Sequence, residues 1–262
     1  MRDVQSEKDH RNIPLDLVGV EGLTYPIKVM QKKGGYQHTV AKISMQVNLP
    51  HDFRGTHMSR FVEVLNEFRH DISYRNLKVM LNKLKKVLDA ETAHIEMEFP
   101  YFLEKNAPVS GIPSYMSYIC KFSATQNNGF DFILEVNTPV HTLCPCSKEI
   151  SDRGAHNQRA NVKIEVRMSG IIWIEDLVEI AEASASSPLY SLLKREDEKY
   201  VTELAYDTPR FVEDVAREAA LRLEANPRVT WYRVSVTSFE SIHNHNAYAC
   251  VSRRKGQKAG GE

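Results

Sequence analysis

The sequence lacks an excess of charge of either sign, because 34 lysine and arginine residues are balanced by 34 aspartate and glutamate residues. A protein that binds nucleic acid along its surface needs a broad basic face, so this balance argues against that class of function. A neutral chain can still contain a local basic pocket, so a small anionic ligand stays possible.

Long apolar runs are also missing, since none approaches the roughly 20 residues that a membrane-spanning helix needs. Residues 1–11 are polar and charged, and they lack the apolar stretch of a secretory signal peptide. We therefore expect a cytoplasmic protein with no membrane partner. In a reducing compartment the four cysteines are thiols by default, which favours reactive or metal-binding cysteines over a disulfide framework.

The two ends of the chain lack hydrophobic periodicity. The residues between them form a series of strand-like and helix-like segments. Alternating apolar residues predict strands, and apolar residues three or four positions apart predict amphipathic helices. The predicted strands are residues 23–30, 36–49, 93–103, 114–125, 130–141, 160–168, 230–240 and 246–253. The predicted helices are residues 56–70, 75–89, 174–184 and 209–224. Each half of the chain thus has the order strand, strand, helix, helix, strand, strand.

This order predicts an α+β fold, in which helices cover one face of an antiparallel four-stranded sheet in each half. We expect flexible ends at residues 1–14 and 254–262, with modules at residues 15–127 and 128–253 between them. Open sheet edges are normally paired or covered, and sheets joined edge to edge in a ring would close a barrel. The pattern therefore predicts a homo-oligomer with clefts at the subunit boundaries.

A candidate metal site follows the fifth predicted strand, where Cys144, Pro145 and Cys146 are followed by His156. Thiolate and imidazole are ligands that zinc prefers and that other divalent metals accept. The intervening loop is long enough to return on itself, so Cys144 and His156 can share one metal. The alternative is that both cysteines are ordinary thiols at the end of a strand.

The other two cysteines, Cys120 and Cys250, lie in strand-like stretches and are expected in the core. A histidine pair, His243 and His245, flanks Asn244 near the end of the chain. If this segment is extended, the imidazoles lie on one face, with α-carbons about 6.5–7 Å apart. One can bind a metal while the other moves protons, since imidazole titrates near neutrality. The alternative is a polar turn between the last two strands.

Two carboxylate-bearing segments complete the candidate chemistry. Residues 194–200 are densely charged and, taken alone, predict a solvated loop, although a metal site often includes a carboxylate from such a segment. Glu213 lies on the predicted helix 209–224. If buried, its carboxylate can accept paired hydrogen bonds from a guanine edge; alternatively it is a surface residue favoured by the helix dipole. The residues alone thus indicate an oligomeric metal-assisted hydrolase with an unidentified substrate.

Several motifs, in order, resemble the GTP cyclohydrolase type IB family. They are residues 22–27, 55–61, 143–151, 154–159 and 240–245, and the resemblance spans about residues 15–252. The resemblance implies the tunnelling fold, with two tandem ββααββ modules per chain and a homotetramer whose active sites lie near subunit interfaces. It also implies GTP as substrate, with formate and 7,8-dihydroneopterin triphosphate as products, in the first step of folate and pterin biosynthesis.

Matched residue by residue, the resemblance implies a complete site with one divalent metal ion, which can be zinc, manganese or iron. The implied metal ligands are Cys144, His156, Glu198 and His243. Glu213 would anchor the guanine, while Cys146 and His245 would line the site beside Cys144 as catalytic residues. His245 is our candidate for the proton shuttle. The candidate partners of the triphosphate are Lys148, Arg159, Lys194 and Arg195.

Two other functions stay open at this point. A nitrile reductase of the same fold would use Cys144 or Cys146 as a nucleophile toward a deazaguanine nitrile, with hydride from NADPH. A non-enzymatic scaffold would hold a closed structural metal site with no position for water. The combination of two cysteines with the segment around His243 favours metal-assisted hydrolysis over both.

Overall fold

The helices and strands follow the hydrophobic pattern of the sequence and together make an α+β structure. This computed structural model describes residue 5 and residues 7–256. In that part of the chain the strands are β1 (Leu15–Met30), β2 (Tyr36–Leu49), β3 (Ala93–Asn106), β4 (Pro113–Gln126), β5 (Phe130–Leu143), β6 (Asn157–Met168), β7 (Ser187–Pro188), β8 (Val229–Ser238) and β9 (Ala247–Arg254). The helices are α1 (Met58–Phe68), α2 (Tyr74–Leu88), α3 (Pro145–Ile150), α4 (Ile174–Ser184), α5 (Arg195–Asp207) and α6 (Val212–Ala225).

Every predicted strand and helix is present, and the largest difference in bounds is at β1, which begins at Leu15 rather than at residue 23. The first six elements have the order that the sequence predicts. The second half of the chain contains three further elements, the short α3 and β7 and the 13-residue helix α5, which the hydrophobic pattern did not indicate. Two of them, α3 and α5, carry candidate site residues.

The segments expected to be flexible fall partly outside the described residues, which exclude residues 1–4, 6 and 257–262. The backbone N–H of Asp9 donates to the carbonyl oxygen of Asp52 at 3.0 Å, and that of Arg54 donates to Glu7 at 3.1 Å. These hydrogen bonds hold the chain before β1 against the loop before α1. The flexibility expected of residues 1–14 and 254–262 stays a prediction.

One compact unit contains, among the described residues, residue 5 and residues 7–100 and 121–133. In it β1 and β2 form an antiparallel hairpin. The turn contains Gly34 and Gly35, with φ of 90° and 80°, a region that residues with a β-carbon disfavour. β2 also pairs antiparallel with β3. Helices α1 and α2 bury the apolar stripes predicted for them, which include Phe61, Leu65, Leu77, Met80, Leu81 and Leu84.

The other compact unit contains the described residues 101–120 and 134–256. In it β5, β6, β8 and β9 pair antiparallel in that order. Helices α4 and α6 contact each other and cover one face of this sheet. Alternate strand residues are buried on that face, including Val136, Val140, Val162, Ile164, Val234 and Val236. The residues between them point to the opposite face, which is why that face carries most of the polar side chains.

The strands follow the sheet order β1-β2-β3-β4-β5-β6-β8-β9, with β7 beside β5 and off this path. Because β3, β4 and β5 contribute residues to both compact units, the units and the predicted modules are different divisions of the chain. In the part of the chain that the structure describes, no helix combines the length and the apolar character needed to cross a membrane.

Candidate metal and substrate site

Three neighbouring strands in the second unit each have one end on the same side of the sheet, and this row of strand ends is named the sheet edge. β5 ends at Leu143, which pairs with Asn157 at the start of β6, and β8 ends at Ser238, which pairs with Ala160 of β6. Neighbouring antiparallel strands run in opposite directions, so the end of one lies beside the start of the next. The segments that follow β5, precede β6 and follow β8 therefore converge, and they contain most of the candidate ligands.

Cys144 and His156 lie side by side because helix α3 folds the intervening loop back on itself. The backbone N–H of Cys144 donates to the carbonyl oxygen of His156 at 3.1 Å. The backbone N–H of His156 donates to Ser147 Oγ at 3.2 Å. Cys144 is the N-cap of α3, and its Sγ accepts a weak hydrogen bond from the Ser147 N–H at 3.4 Å. The thiol is thus partly exposed and close to the chain around His156.

Three imidazoles gather beside this loop. The ring centroids of His156 and His243 are 6.4 Å apart, and those of His243 and His245 are 5.2 Å apart with an interplanar angle of 23°. The two rings of the His243–His245 pair lie together, but their segment is a series of bends and not the extended strand on which the expectation of a shared face depended. The alternative expectation also holds in part, since this exposed polar segment connects β8 to β9.

The ligands implied by the resemblance do not form a closed coordination sphere. Within the described ranges, no group of three or more histidine, cysteine, aspartate or glutamate side chains is close enough to hold a metal ion. Cys144, His156 and His243 lie on adjoining segments, and Glu198 is exposed on the first turn of α5. The complete ligand set is consequently a proposal.

The charged segment around Glu198 is helical, which corrects the expectation of a solvated loop over residues 194–200. Asp197 explains the helix start. It is fully buried and accepts hydrogen bonds from the backbone N–H groups of Val109, Ser110 and Lys194, each at 2.8 Å, and from Ser110 Oγ at 2.6 Å. These donors occupy both oxygens of the Asp197 carboxylate. Of the three adjacent acidic residues, Asp197 is buried, and Glu196 and Glu198 are exposed.

Burial raises the pKa of the Asp197 carboxyl, but the hydrogen bonds from Ser110, Lys194 and Val109 outweigh burial and hold that pKa well below its usual range. A depressed folded-state pKa stabilises the fold above the ordinary aspartate pKa of about 3.9, and this contribution is lost as pH falls toward the folded value. We expect the Tm of the wild type to fall more steeply than that of Asp197→Asn between about pH 5 and about pH 3.

The measurement is thermal unfolding by circular dichroism across this pH range. Asp176→Asn is the matched control, because Asp176 also occupies the third position of a helix and accepts from the backbone N–H of Trp173 at 3.0 Å. It should change the pH dependence less than Asp197→Asn does. Parallel Tm profiles for the wild type and Asp197→Asn would contradict the assigned ionised state.

The four cations proposed for the triphosphate lie on different elements. Lys148 of α3 donates to the carbonyl oxygen of Tyr206 and lies 4.2 Å from the centroid of that ring. Arg159 of β6 is exposed and lines a cleft of about 390 Å³ together with Tyr115 and Tyr190. The remaining two, at the start of α5, are the exposed Lys194 and Arg195. The structure therefore brings no more than two of these cations to one element.

Glu213 lies in the first turn of α6 and is exposed in this chain rather than buried. Its side chain lines a cleft of about 520 Å³ between α6 and the strands β8 and β9. Ala216, Ala220 and Val251 contribute apolar surface to the same cleft. A carboxylate in the lining of a partly apolar cleft suits a planar ligand that carries hydrogen-bond donors.

The remaining cysteines differ in exposure. Cys120 is buried, as expected, whereas Cys146 and Cys250 are exposed. The expectation that Cys250 lies in the core is therefore wrong. Helices cover only one face of the sheet, so alternate residues of the edge strand β9 point away from them, and Cys250 is among these. Burial raises the pKa of the Cys250 thiol, but the hydrogen bonds from Ser235, Arg233 and Tyr248 together outweigh burial and lower that pKa.

One residue that the sequence reading did not single out is Gln158. His156 Nδ1 and Gln158 Oε1 are 2.9 Å apart, and the Gln158 side chain also reaches Glu240 and Ser241. The strand pattern could not indicate this contact, because His156 precedes β6, which begins at Asn157, and the strand predicted from the sequence begins only at residue 160.

Comparison with known proteins identifies the family of the chain. The family model described as type I GTP cyclohydrolase folE2 matches residues 1–249. The GTP cyclohydrolase FolE2 of Kosmotoga olearia is 58% identical over 97% of this chain and 99% of its own length. The corresponding protein of Thermosipho africanus is 60% identical over 96% of this chain and 98% of its own length.

Solved structures with little sequence identity share the fold. The uricase from Arthrobacter globiformis superposes with a TM-score of 0.52 at 7% identity, covering 94% of this chain and 96% of its own. Urate oxidase from Bacillus sp. TB-90 superposes with a TM-score of 0.53 at 9% identity, covering 92% of this chain and 100% of its own. This likeness fits the tunnelling fold expected from the sequence. With the family model matching nearly the whole sequence, the chain belongs to the type I GTP cyclohydrolases of the folE2 family.

Proposed function

We propose that this chain converts GTP and water to formate and 7,8-dihydroneopterin triphosphate at the sheet edge where β5 and β8 end and β6 begins. The observation that carries the proposal is the convergence of Cys144, His156 and His243 at this edge. Membership of the family supplies the reaction class and disfavours the nitrile reductase alternative.

The donor set at this edge fits a divalent metal ion. Cys144 offers a partly exposed sulfur atom, and His156 offers Nε2 because its Nδ1 is engaged by Gln158. His243 and Glu198 are exposed and complete the proposed set of four ligands. One thiolate, two imidazoles and one carboxylate suit zinc, and such a mixture also accepts iron or manganese. When bound, the ion supplies the Lewis acidity that makes water nucleophilic near neutral pH.

The other residues bind the substrate and move protons. Glu213 accepts hydrogen bonds from the guanine N1–H and the exocyclic amine, which orients C8 of the imidazole ring for attack by water. His245, stacked 5.2 Å from His243, moves protons between the attacking water and the departing ring nitrogen. Cys146 lines the site from the first turn of α3. A second hydrolysis releases formate, and rearrangement of the ribose followed by ring closure with loss of one water molecule gives the pterin.

The triphosphate requires cations, and we assign this role to Lys148, Arg159, Lys194 and Arg195. These residues lie on α3, β6 and the start of α5, so the triphosphate would extend from the sheet edge across these elements. We also propose a homotetramer with active sites near subunit interfaces. In the described chain the terminal strands β1 and β9 each have one pairing neighbour, and such open edges are normally paired or covered.

Removal of the metal is expected to reduce formate release to background, and addition of zinc, manganese or iron should restore it. Magnesium should restore little, because it prefers oxygen ligands and binds poorly to thiolate and imidazole. The experiment adds each metal separately to metal-stripped protein and measures both formate and pterin fluorescence. Circular dichroism and light scattering verify that the stripped protein stays folded and keeps its oligomeric state.

Two outcomes would count against the proposal. Equal formate release with and without metal would remove the metal from the reaction. A metal that raises the Tm but gives neither formate nor pterin would leave the structural scaffold as the better interpretation.

A further inference from the structure

Gln158 connects three parts of the candidate site. Its Oε1 lies 2.9 Å from His156 Nδ1 and accepts a hydrogen bond from Ser241 Oγ at 3.3 Å. Its Nε2 donates to Glu240 Oε1 at 3.4 Å. Gln158 is partly buried near the start of β6, whereas Glu240 and Ser241 lie just after β8. A single amide thus bridges the histidine beside Cys144 to the segment that carries His243.

The chemistry of Glu240, Gln158 and His156 determines which group donates and which accepts in each of these hydrogen bonds. An ionised carboxylate only accepts, so Glu240 requires the NH₂ of Gln158 on its side. The amide oxygen then faces His156, and because an amide oxygen only accepts, Nδ1 of His156 carries the proton. In a neutral imidazole with a proton on Nδ1, Nε2 presents a lone pair. Glu240 therefore sets the orientation of Gln158, and Gln158 sets the tautomer of His156.

We propose that Gln158 is a positioning residue that holds His156 in the tautomer able to bind metal through Nε2 and tethers the Glu240–Ser241 segment beside it. This inference rests on the proposed function, since it concerns one of the proposed ligands. A metal-binding histidine needs a partner on its other ring nitrogen to fix the ring plane and the tautomer. In this protein the neutral amide of Gln158 is that partner. The negatively charged group, Glu240, is hydrogen-bonded to the amide and not to the histidine itself.

The test measures metal binding directly, with Co²⁺ as the probe added to metal-stripped protein. Visible absorption reports the coordination geometry, and the near-ultraviolet thiolate-to-cobalt band reports Cys144 as a ligand. Gln158→Leu is expected to weaken Co²⁺ binding by about 10–100-fold, the usual effect of removing an outer partner of a ligand. The thiolate band should still appear at saturating Co²⁺, because Cys144 is unchanged.

Two further variants separate positioning from a general structural effect. Gln158→Glu keeps an acceptor for His156 Nδ1 and should retain most of the affinity that Gln158→Leu loses, even though it repels Glu240. Asn161→Leu is the matched control, since Asn161 lies on the same strand and its amide donates to Asn137 Oδ1 at 3.1 Å. It should leave the Co²⁺ affinity unchanged. Nitrogen-15 NMR of the histidines should show the Nδ1–H tautomer at His156 in the metal-stripped wild type and its loss in Gln158→Leu.

Wild-type Co²⁺ affinity in Gln158→Leu, an Nε2–H tautomer of His156 in the wild type, or equal losses in Gln158→Leu and Asn161→Leu would each overturn the inference. So would a wild type that binds no Co²⁺. Formate release by the wild type tests the proposed function separately. A wild type that binds Co²⁺ through a Gln158-dependent site but releases no formate would sink the proposed function while leaving the positioning role intact.

Discussion

Replacement of Cys144 with alanine is expected to abolish formate release from GTP while the protein stays folded. Cys144 is the proposed thiolate ligand, and without it the site loses the donor that best retains a soft or borderline metal. We expect a loss of at least about 10³-fold in rate, which corresponds to ~4 kcal/mol in the activation barrier. The fold should persist, because the hydrogen bond from the Cys144 backbone N–H to His156 does not depend on the side chain.

The comparison with another cysteine makes this expectation specific. Cys120 is fully buried in β4, and Cys120→Ala removes one buried sulfur atom without touching the sheet edge. That variant should lose about 1 kcal/mol of stability and keep its rate of formate release. Cys144→Ala should show the reverse, with a Tm near that of the wild type, because its Sγ accepts only a weak hydrogen bond from Ser147. Formate release at the wild-type rate from Cys144→Ala would falsify the assignment.

Hydrophobic pattern predicted the elements that bury an apolar stripe. Helix α4 has the predicted bounds because Ile174, Leu177, Val178 and Ala181 are buried on one side. The start of β1 was missed because residues 15–22 are exposed or only partly buried, so no alternation marks them. Helices α3 and α5 were not predicted for a different reason, which is that they bury almost no apolar side chains. α3 has no buried residue, and α5 buries Asp197 and Ala205 alone.

The site was predictable where strand order determines proximity. Sequence motifs named Cys144, His156 and His243, and antiparallel pairing of β5, β6 and β8 explains why their segments converge. Hydrogen bonds that depend on side-chain conformation could not be predicted from the motifs or from the strand order. The buried role of Asp197 depends on a backbone turn at Val109 and Ser110, far away in sequence. No pattern of polarity in the charged segment around Asp197 distinguishes it from its neighbours.

The exposure of Cys250 illustrates the same limit. Strand-like sequence predicts alternation, but it does not say which of the two faces the helices cover. Cys250 pairs with Ser235 across β8 and β9, and both side chains point away from α6. The sequence of β9 therefore predicts a strand, but it does not predict which of its alternate side chains the helices bury.

Glu213→Ala should remove the preference for guanine. The carboxylate is proposed to accept two charge-assisted hydrogen bonds from the guanine edge, each worth about 1.5–3 kcal/mol. Their loss should lower kcat/KM for GTP by about 10²–10⁴-fold. Inosine triphosphate lacks the exocyclic amine, so it makes one of these bonds with the wild type and should lose less in the variant. The ratio of kcat/KM between the two nucleotides should therefore fall toward one.

Steady-state kinetics with both nucleotides measures this ratio, and Glu218→Ala is the matched control. Glu218 is on the same helix, and its carboxylate lies 3.7 Å from the Arg210 guanidinium rather than at the cleft that Glu213 lines. Its loss should leave the ratio unchanged. Because Glu213 is exposed near a helix N-terminus, its removal should cost only about 0.3–1 kcal/mol of stability. A Glu213→Ala enzyme that still prefers GTP to inosine triphosphate as strongly as the wild type would place the guanine anchor elsewhere. Loss of the preference with normal metal binding would support Glu213 as the guanine anchor and would show that it acts separately from metal binding.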